Sequence, residues 1–209
     1  MTIKRTLAAG TAVAATTALG LGLAAGPAMA KQGTAPLAGV LVDQDTGDNN
    51  GKDYDILTEA VLAVIGAKPD SPVSVLTKGK TRLTAFAPQD RAFMGLVTAL
   101  TGTKPASEQA AFQTIAAAFS IDAIEDILLY HVVPGKPITA KMAAKSDGAK
   151  LKTAQGKRLT VVVKKGKVFI KDGASVTKNA KVVQADINKG NRQIAHGINQ
   201  VLLPANPAG

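Results

Sequence analysis

Two histidines, His131 and His196, are the only imidazoles in a chain of 209 residues that contains no cysteine and no tryptophan. Near neutral pH an imidazole can relay protons, ligate a metal or hold a hydrogen bond inside a core, and its surroundings decide which. The two lie 65 positions apart with no HExxH or comparable spacing, so neither a metal centre nor a cofactor is expected. The absence of cysteine removes disulfides, thiolate nucleophiles, c-type haem and iron–sulfur clusters at once. His131 follows Tyr130 where a helical pattern gives way to a β-branched one, and strand alternation would turn one of the pair inward. A buried histidine bonded to backbone is the first reading of His131, and His196 beside Gly197 is expected to order the final turn.

Carboxylates come next. Asp43, Asp45, Asp48, Asp53 and Asp55, interleaved with Asn49, Asn50 and Gly51, have the composition of a calcium loop. With Gly51 at the sixth position of an EF-hand, however, Thr46 falls first and Leu57 twelfth, where a carboxylate is required. The cluster therefore reads as a solvated linker, with Asp55 capping the next helix. Glu125 and Asp126 read as a solvated helical pair. Gly79-Lys80-Thr81 imitates the end of a P-loop, but Ser74 stands where its first glycine must be, and neither a G-x-S-x-G elbow nor a dinucleotide fingerprint follows the first thirty residues. No catalytic residue is assigned and no enzyme is expected.

Charge is distributed unevenly. Residues 136–192 hold 15 Lys and Arg against Asp147, Asp172 and Asp186, a net of +12, whereas residues 31–135 hold 8 basic against 12 acidic groups, a net of −4. Lys164, Lys165 and Lys167 crowd one turn, flanked by Lys157, Arg158 and Lys171. Such a patch captures an anionic polymer electrostatically, or it only keeps an exported protein soluble. Nucleic acid is not an expected partner, because two tyrosines without tryptophan offer no stacking platform.

The elements that must position these groups follow from periodicity. A helix is expected over residues 56–65, stopped by residues 66–69, then short strands at 73–76 and 83–87 around a polar turn. Pro88 is placed to open a helix whose inward face is Phe93, Leu96, Val97 and Leu100. An alanine-rich helix over 107–119 precedes one over 122–129, which an Asp122 and Glu125 capping box would start. Strands are expected at 130–133, 159–163, 168–170, 181–185 and 198–203, with 159–163 and 168–170 forming a hairpin. Helices segregated from short strands of antiparallel pattern make the fold class α+β.

At the start of the chain, Lys4 and Arg5 precede an apolar, Gly- and Thr-containing run over 7–25 and the small-x-small triplet Ala28-Met29-Ala30. That is the pattern of a signal peptide over residues 1–30, cleaved after Ala30. Residues 31–51 read as a polar linker with one apolar run at 37–42, residues 52–205 as the domain and 206–209 as a short tail. No hydrophobic tail follows, so the expectation is a secreted, extracellular protein with no membrane anchor after signal removal.

Three segments in order resemble the fasciclin domain: TAFAPQDRAF (84–93), LLYHVVPG (128–135) and IAHGINQVLLP (194–204). The last of them, with the residues before it, is similar to secreted single-domain actinobacterial members. The resemblance implies a β-wedge flanked by helices, with Thr84, Phe86, Pro88, Asp90, Phe93 and His196 as structural motif residues. It also implies a non-catalytic adhesion or surface-interaction module with contacts around Tyr130 and His131; together with the basic hairpin Lys164, Lys165 and Lys167 read from the charge, the expected partner is an extracellular protein, glycan or anionic cell-wall polymer. Departures from the family pattern are Gln89 for a hydroxyl residue, Arg91 for an acid, Arg192-Gln193 for Asn-Gly and Asn199 for an aspartate. Alternatives are a carrier of a small ligand in a cleft between wedge and helices, and a hydrolase using a histidine.

Overall fold

The computed structural model describes residues 32–43 and 49–206. The expected leader with its cleavage after Ala30, and Asp45 and Asp48 of the acidic cluster, lie outside the described residues. Among the described residues, four long helices build most of one half. α2 (Asp55–Ala67) buries Ile56, Leu57, Ala60, Val61 and Val64, the 3.6-residue stripe of the sequence, and stops before Pro69, which cannot continue it. α3 (Asp90–Thr101) buries Phe93, Leu96 and Val97, each worth about 1.5–3 kcal/mol when removed from water, while Leu100 stays 39% exposed instead of facing inward. α4 (Glu108–Ala118) and α5 (Ile121–Tyr130) both start at serine caps, Ser107 and Ser120, whose hydroxyls accept from Ala110 N and Ala123 N.

The Asp122 and Glu125 capping box does not form, because Ser120 takes the cap two residues earlier. Asp122 instead accepts from Lys68 Nζ at 2.7 Å, and Glu125 is buried against Lys68 and the Ser71 hydroxyl, so the expectation of a solvated Glu125 is corrected. The expected strand at 73–76 is a 3-10 helix, Pro72–Thr77. Ser71 caps it by accepting from Val73 N at 3.1 Å, Pro72 presets its first turn, and Val73 and Leu76 bury with a spacing of three.

The other half is a seven-stranded sheet of order β2-β1-β7-β6-β5-β4-β3. β1 (Leu83–Pro88) pairs antiparallel with β2 (Val132–Pro134) and parallel with β7 (Gln193–Ile198). Every residue of β1 and β7 is buried, as befits central strands covered on both faces. β6 (Ala180–Ile187), β5 (Lys167–Lys171), β4 (Arg158–Lys164) and β3 (Lys150–Lys152) extend the sheet antiparallel, and α6 (Ala140–Ala143) sits between β2 and β3 in sequence.

Three boundaries differ from expectation. Pro88 ends β1 instead of opening α3, whose N-cap is Gln89. Tyr130 closes α5 instead of starting a strand. Residues 199–203 leave the sheet although they are apolar, because Val201 and Leu203 plug the larger core under the helices while Leu202 fills the smaller core of Phe86, Tyr130, Leu159, Val161 and Ile170.

The run at 37–42 folds as α1 (Leu37–Val42), with Leu37 and Leu41 in the main core. A strap of five residues before it is stitched to the turn between β6 and β7. Gly33 N donates to Gly190 O, Arg192 N to Gly33 O, and Ala35 N to Asn191 Oδ1. Gln193, fully buried, accepts from Leu37 N at 2.8 Å and donates through Nε2 to Val75 O and Lys78 O. The departure Arg192-Gln193 thus ties three separate segments together.

Candidate functional site

Tyr130 and His131 occupy the end of α5, and both are turned inward, at 1% and 4% exposure, where alternation predicted only one. The helix end, not a strand, sets their directions. Tyr130 donates its hydroxyl to Arg158 O at 3.2 Å, and its burial pushes the phenol pKa up, with Asp172 adding to the rise. His131 Nδ1 lies 2.7 Å from Ile127 O, and Nε2 accepts from Leu202 N at 2.9 Å. That pattern requires the neutral tautomer with the proton on Nδ1, and burial pushes the pKa down to about 4. The ring is a bolt between α5 and the segment after β7.

His196 works in mirror image. Its Nε2 lies 2.8 Å from Ile138 O, its Nδ1 accepts from Asp186 N at 3.3 Å, and burial lowers its pKa. It therefore orders the irregular end of β6 and the loop before α6, and not the final turn. Thr84, fully buried, accepts from Ile138 N through Oγ1 at 2.8 Å. Thr84 and His196, from the first and last motifs, grip the two polar atoms of one peptide residue. Phe86 lies 6.1 Å from the His196 ring, centroid to centroid, and Phe93 is in the helical core.

Asp90 is the cap of α2, acting from another helix. Its Oδ1 accepts from Ile56 N at 2.8 Å and its Oδ2 from Asp55 N at 3.1 Å, so Asp55 receives the capping bond and does not supply it. The oxygens of Asp53, Asp55 and Asp90 come within 4.8 Å of one another, a donor set of the type that could hold a cation. Burial first, then the hydrogen bond with Asp53, raises Asp90 to about 8, which relieves the crowding with a proton. The departures Gln89 and Arg91 act as a couple beside it: Gln89 donates to Lys52 O and accepts from Arg91, each at 2.6 Å.

The lysines are arranged by strand register. Lys165 (φ 49°) and Gly166 (φ 72°) form the left-handed pair of a two-residue hairpin turn, which brings Lys164 opposite Lys167. Residues alternating with the buried Leu159, Val161 and Ile170 point away from the core. They form rows across the sheet: Lys152 with Arg158, then Lys150, Thr160 and Lys171, then Val162, Phe169 and Lys181, then Lys164 with Lys167. Seven cations share this face, and strands β3, β4 and β5 contain no acidic residue. Tyr130 and His131 lie inside the molecule, where Tyr130 reaches only the Arg158 carbonyl from the core side of the sheet, so the two expected binding groups do not share one surface.

At one border of the face, Lys164, Phe169, Lys178, Lys181, Asn199 and Gln200 line an open cleft of about 450 Å³. Sequence reasoning missed Phe169, Lys181 and Asn199. The alternation of residues 167–171 carried a signal for Phe169, whereas Asn199 meets Lys181 only through the fold, accepting from its N at 2.7 Å.

The fasciclin domain family model matches residues 67–204. The chain belongs to the fasciclin domain family. Fasciclin domains are adhesion-type modules, generally non-catalytic, of extracellular or surface proteins. This fasciclin chain is similar to the fasciclin domain pair of the insect cell adhesion molecule Fasciclin I, with a TM-score of 0.51 and 19% identity over 72% of this chain and 47% of that one. It is also 42% identical over 83 residues to Protein sll1483 of Synechocystis sp. (strain ATCC 27184 / PCC 6803 / Kazusa), covering 40% of this chain and 39% of that protein. The chain thus spans less than half the length of both. The fold is the expected α+β class, and α1 and most of α2 add to the fasciclin core from outside the matched segment. Among the described residues no helix is long and apolar enough to cross a membrane.

Proposed function

We propose that this fasciclin domain is an exported, non-catalytic adhesion module that holds an anionic polymer of the cell surface on the outward face of β3, β4, β5 and β6. The observation that carries this reading is the cationic array: seven Lys and Arg in register on one sheet face. Neighbouring strands are about 4.8 Å apart and alternate residues about 6.8 Å, so the charges repeat at intervals a polyanion can follow. None of the seven forms an ion pair among the described residues. Opposite charge on the polymer is thus the available neutraliser. Export rests on the pattern at residues 1–30, and Lys165 at the hairpin tip extends the array.

The buried Tyr130 and His131 serve this function by fixing α5 and the C-terminal segment around the sheet. The carrier alternative has less to support it: the apolar cavities lined by α2 residues enclose about 50 and 30 Å³, far below the roughly 300 Å³ of a small-molecule pocket. A hydrolase that uses a histidine base has less to support it too, because both nitrogens of both rings are engaged with backbone.

Retention of the purified protein on an immobilised anionic wall polymer tests the reading. Binding is expected to weaken steeply between low and physiological salt and to collapse in the triple variant Lys164→Glu, Lys165→Glu, Lys167→Glu with folding intact. Salt-independent retention that survives the triple variant would overturn it.

A further inference from the structure

We propose that the cleft bordering the cationic face is a subsite for one ring of an acidic polysaccharide, so that the polymer of the proposed function is a sugar acid chain and not a linear polyol phosphate. The inference rests on that proposed function and sharpens it. A linear phosphate chain needs only charges, which the open face supplies everywhere. The cleft differs from the rest of the face in three ways.

It has a ring for a floor. Phe169 belongs to neither hydrophobic core, is half-buried, and lies opposite Lys181 and Val162 in the sheet, so its outward side is available to a flat apolar surface such as the C–H face of a pyranose. It has amides held ready. Asn199 accepts from Lys181 N at 2.7 Å and donates its own N to Lys181 O at 3.2 Å, which pins the residue in place. Its side-chain NH₂ donates to no group among the described residues, and Gln200 lines the same wall. Finally, cations converge from three elements: Lys164 from the end of β4, Lys181 from β6 and Lys178 from the loop between β5 and β6. A volume of about 450 Å³ with an apolar floor and a few placed polar groups falls in the range of ligand sites.

The test is calorimetric titration of the protein with a uronic acid oligosaccharide and, separately, with inorganic polyphosphate at one fixed salt concentration. Phe169→Ala is expected to weaken uronate binding about tenfold while polyphosphate binding moves less than about twofold. Phe169→Leu, which keeps the apolar bulk without the ring face, should show the same selective loss and guards against misfolding of the alanine variant. Uronate affinity unchanged in Phe169→Leu, equal losses for both polymers, or tighter Phe169-dependent capture of a single-stranded oligonucleotide would each overturn the subsite. A wild-type protein that binds polyphosphate but not uronate removes this inference and leaves the proposed function standing; one that binds neither removes both.

Discussion

His131 Nε2 accepts the Leu202 amide at 2.9 Å while Nδ1 faces Ile127 O at 2.7 Å, so a single neutral ring joins the end of α5 to the segment that divides the two cores. Protonation would put a second N–H against the Leu202 amide. With the folded pKa near 4 and an unfolded value of 6.5, the ring's contribution is complete above about pH 6.5 and is lost as pH falls toward about 4. In thermal melts across that window the stability difference between the wild type and His131→Asn should shrink by about 3 kcal/mol as pH falls, a comparison in which the opposing Asp90 contribution and that of His196 cancel. An unchanged acid slope in that variant would show that another group governs it.

The two histidines should carry opposite tautomers. His131 needs its proton on Nδ1, and His196, with Nε2 on Ile138 O and Nδ1 accepting from Asp186 N, needs it on Nε2. Nitrogen-15 chemical shifts at neutral pH will distinguish one protonated nitrogen of each kind; two identical tautomers would contradict the bolting geometry.

Asp90 gives the opposite pH slope on the alkaline side. Its folded pKa is raised to about 8, so its contribution is complete below the ordinary carboxylate range and is lost as pH climbs to about 8. Above pH 6.5 the His131 contribution is constant, and Asp90 should be visible as a fall in stability of roughly 1–2 kcal/mol from pH 6.5 to 8. In Asp90→Asn the slope in chemical denaturation should flatten, whatever the variant's absolute stability.

Gly197 is required by Tyr54. A Cβ at residue 197 would lie 2.3 Å from the Tyr54 hydroxyl, which donates to Gln184 Oε1 at 2.8 Å beneath β7. Gly197→Ala should destabilise by about 2–3 kcal/mol. Removing the hydroxyl in Tyr54→Phe should cost about 1 kcal/mol alone yet recover part of the loss in the double variant, a non-additivity read from denaturant midpoints. Strict additivity would place the clash elsewhere.

The legible parts of this protein were those where local pattern and tertiary role coincide. The stripe Ile56, Leu57, Ala60, Val61, Val64 and the alternation Leu159, Val161 report burial directly, and the hairpin at Lys165-Gly166 follows from its turn. Elsewhere a distant residue took over a local task. Asp90 caps α2 in place of Asp55, Gln193 secures an apolar run that looked like linker, and Val73 and Leu76 follow the three-residue period of a 3-10 helix in a window too short to separate from a strand. The charge asymmetry was legible, but its convergence on Phe169 depends on which strands pair.

The parallel pairing of β1 with β7 matches Thr84 to Ile194 across 110 residues. Contacts of such sequence separation form late and slowly, because the loop they close must be ordered first. The pairing of β1 with β7 therefore has to wait until residues 193–198 have been released, although β3 to β6 can pair locally before then. Delayed closure of that kind suits a chain threaded unfolded through a translocation channel, the route proposed for this one.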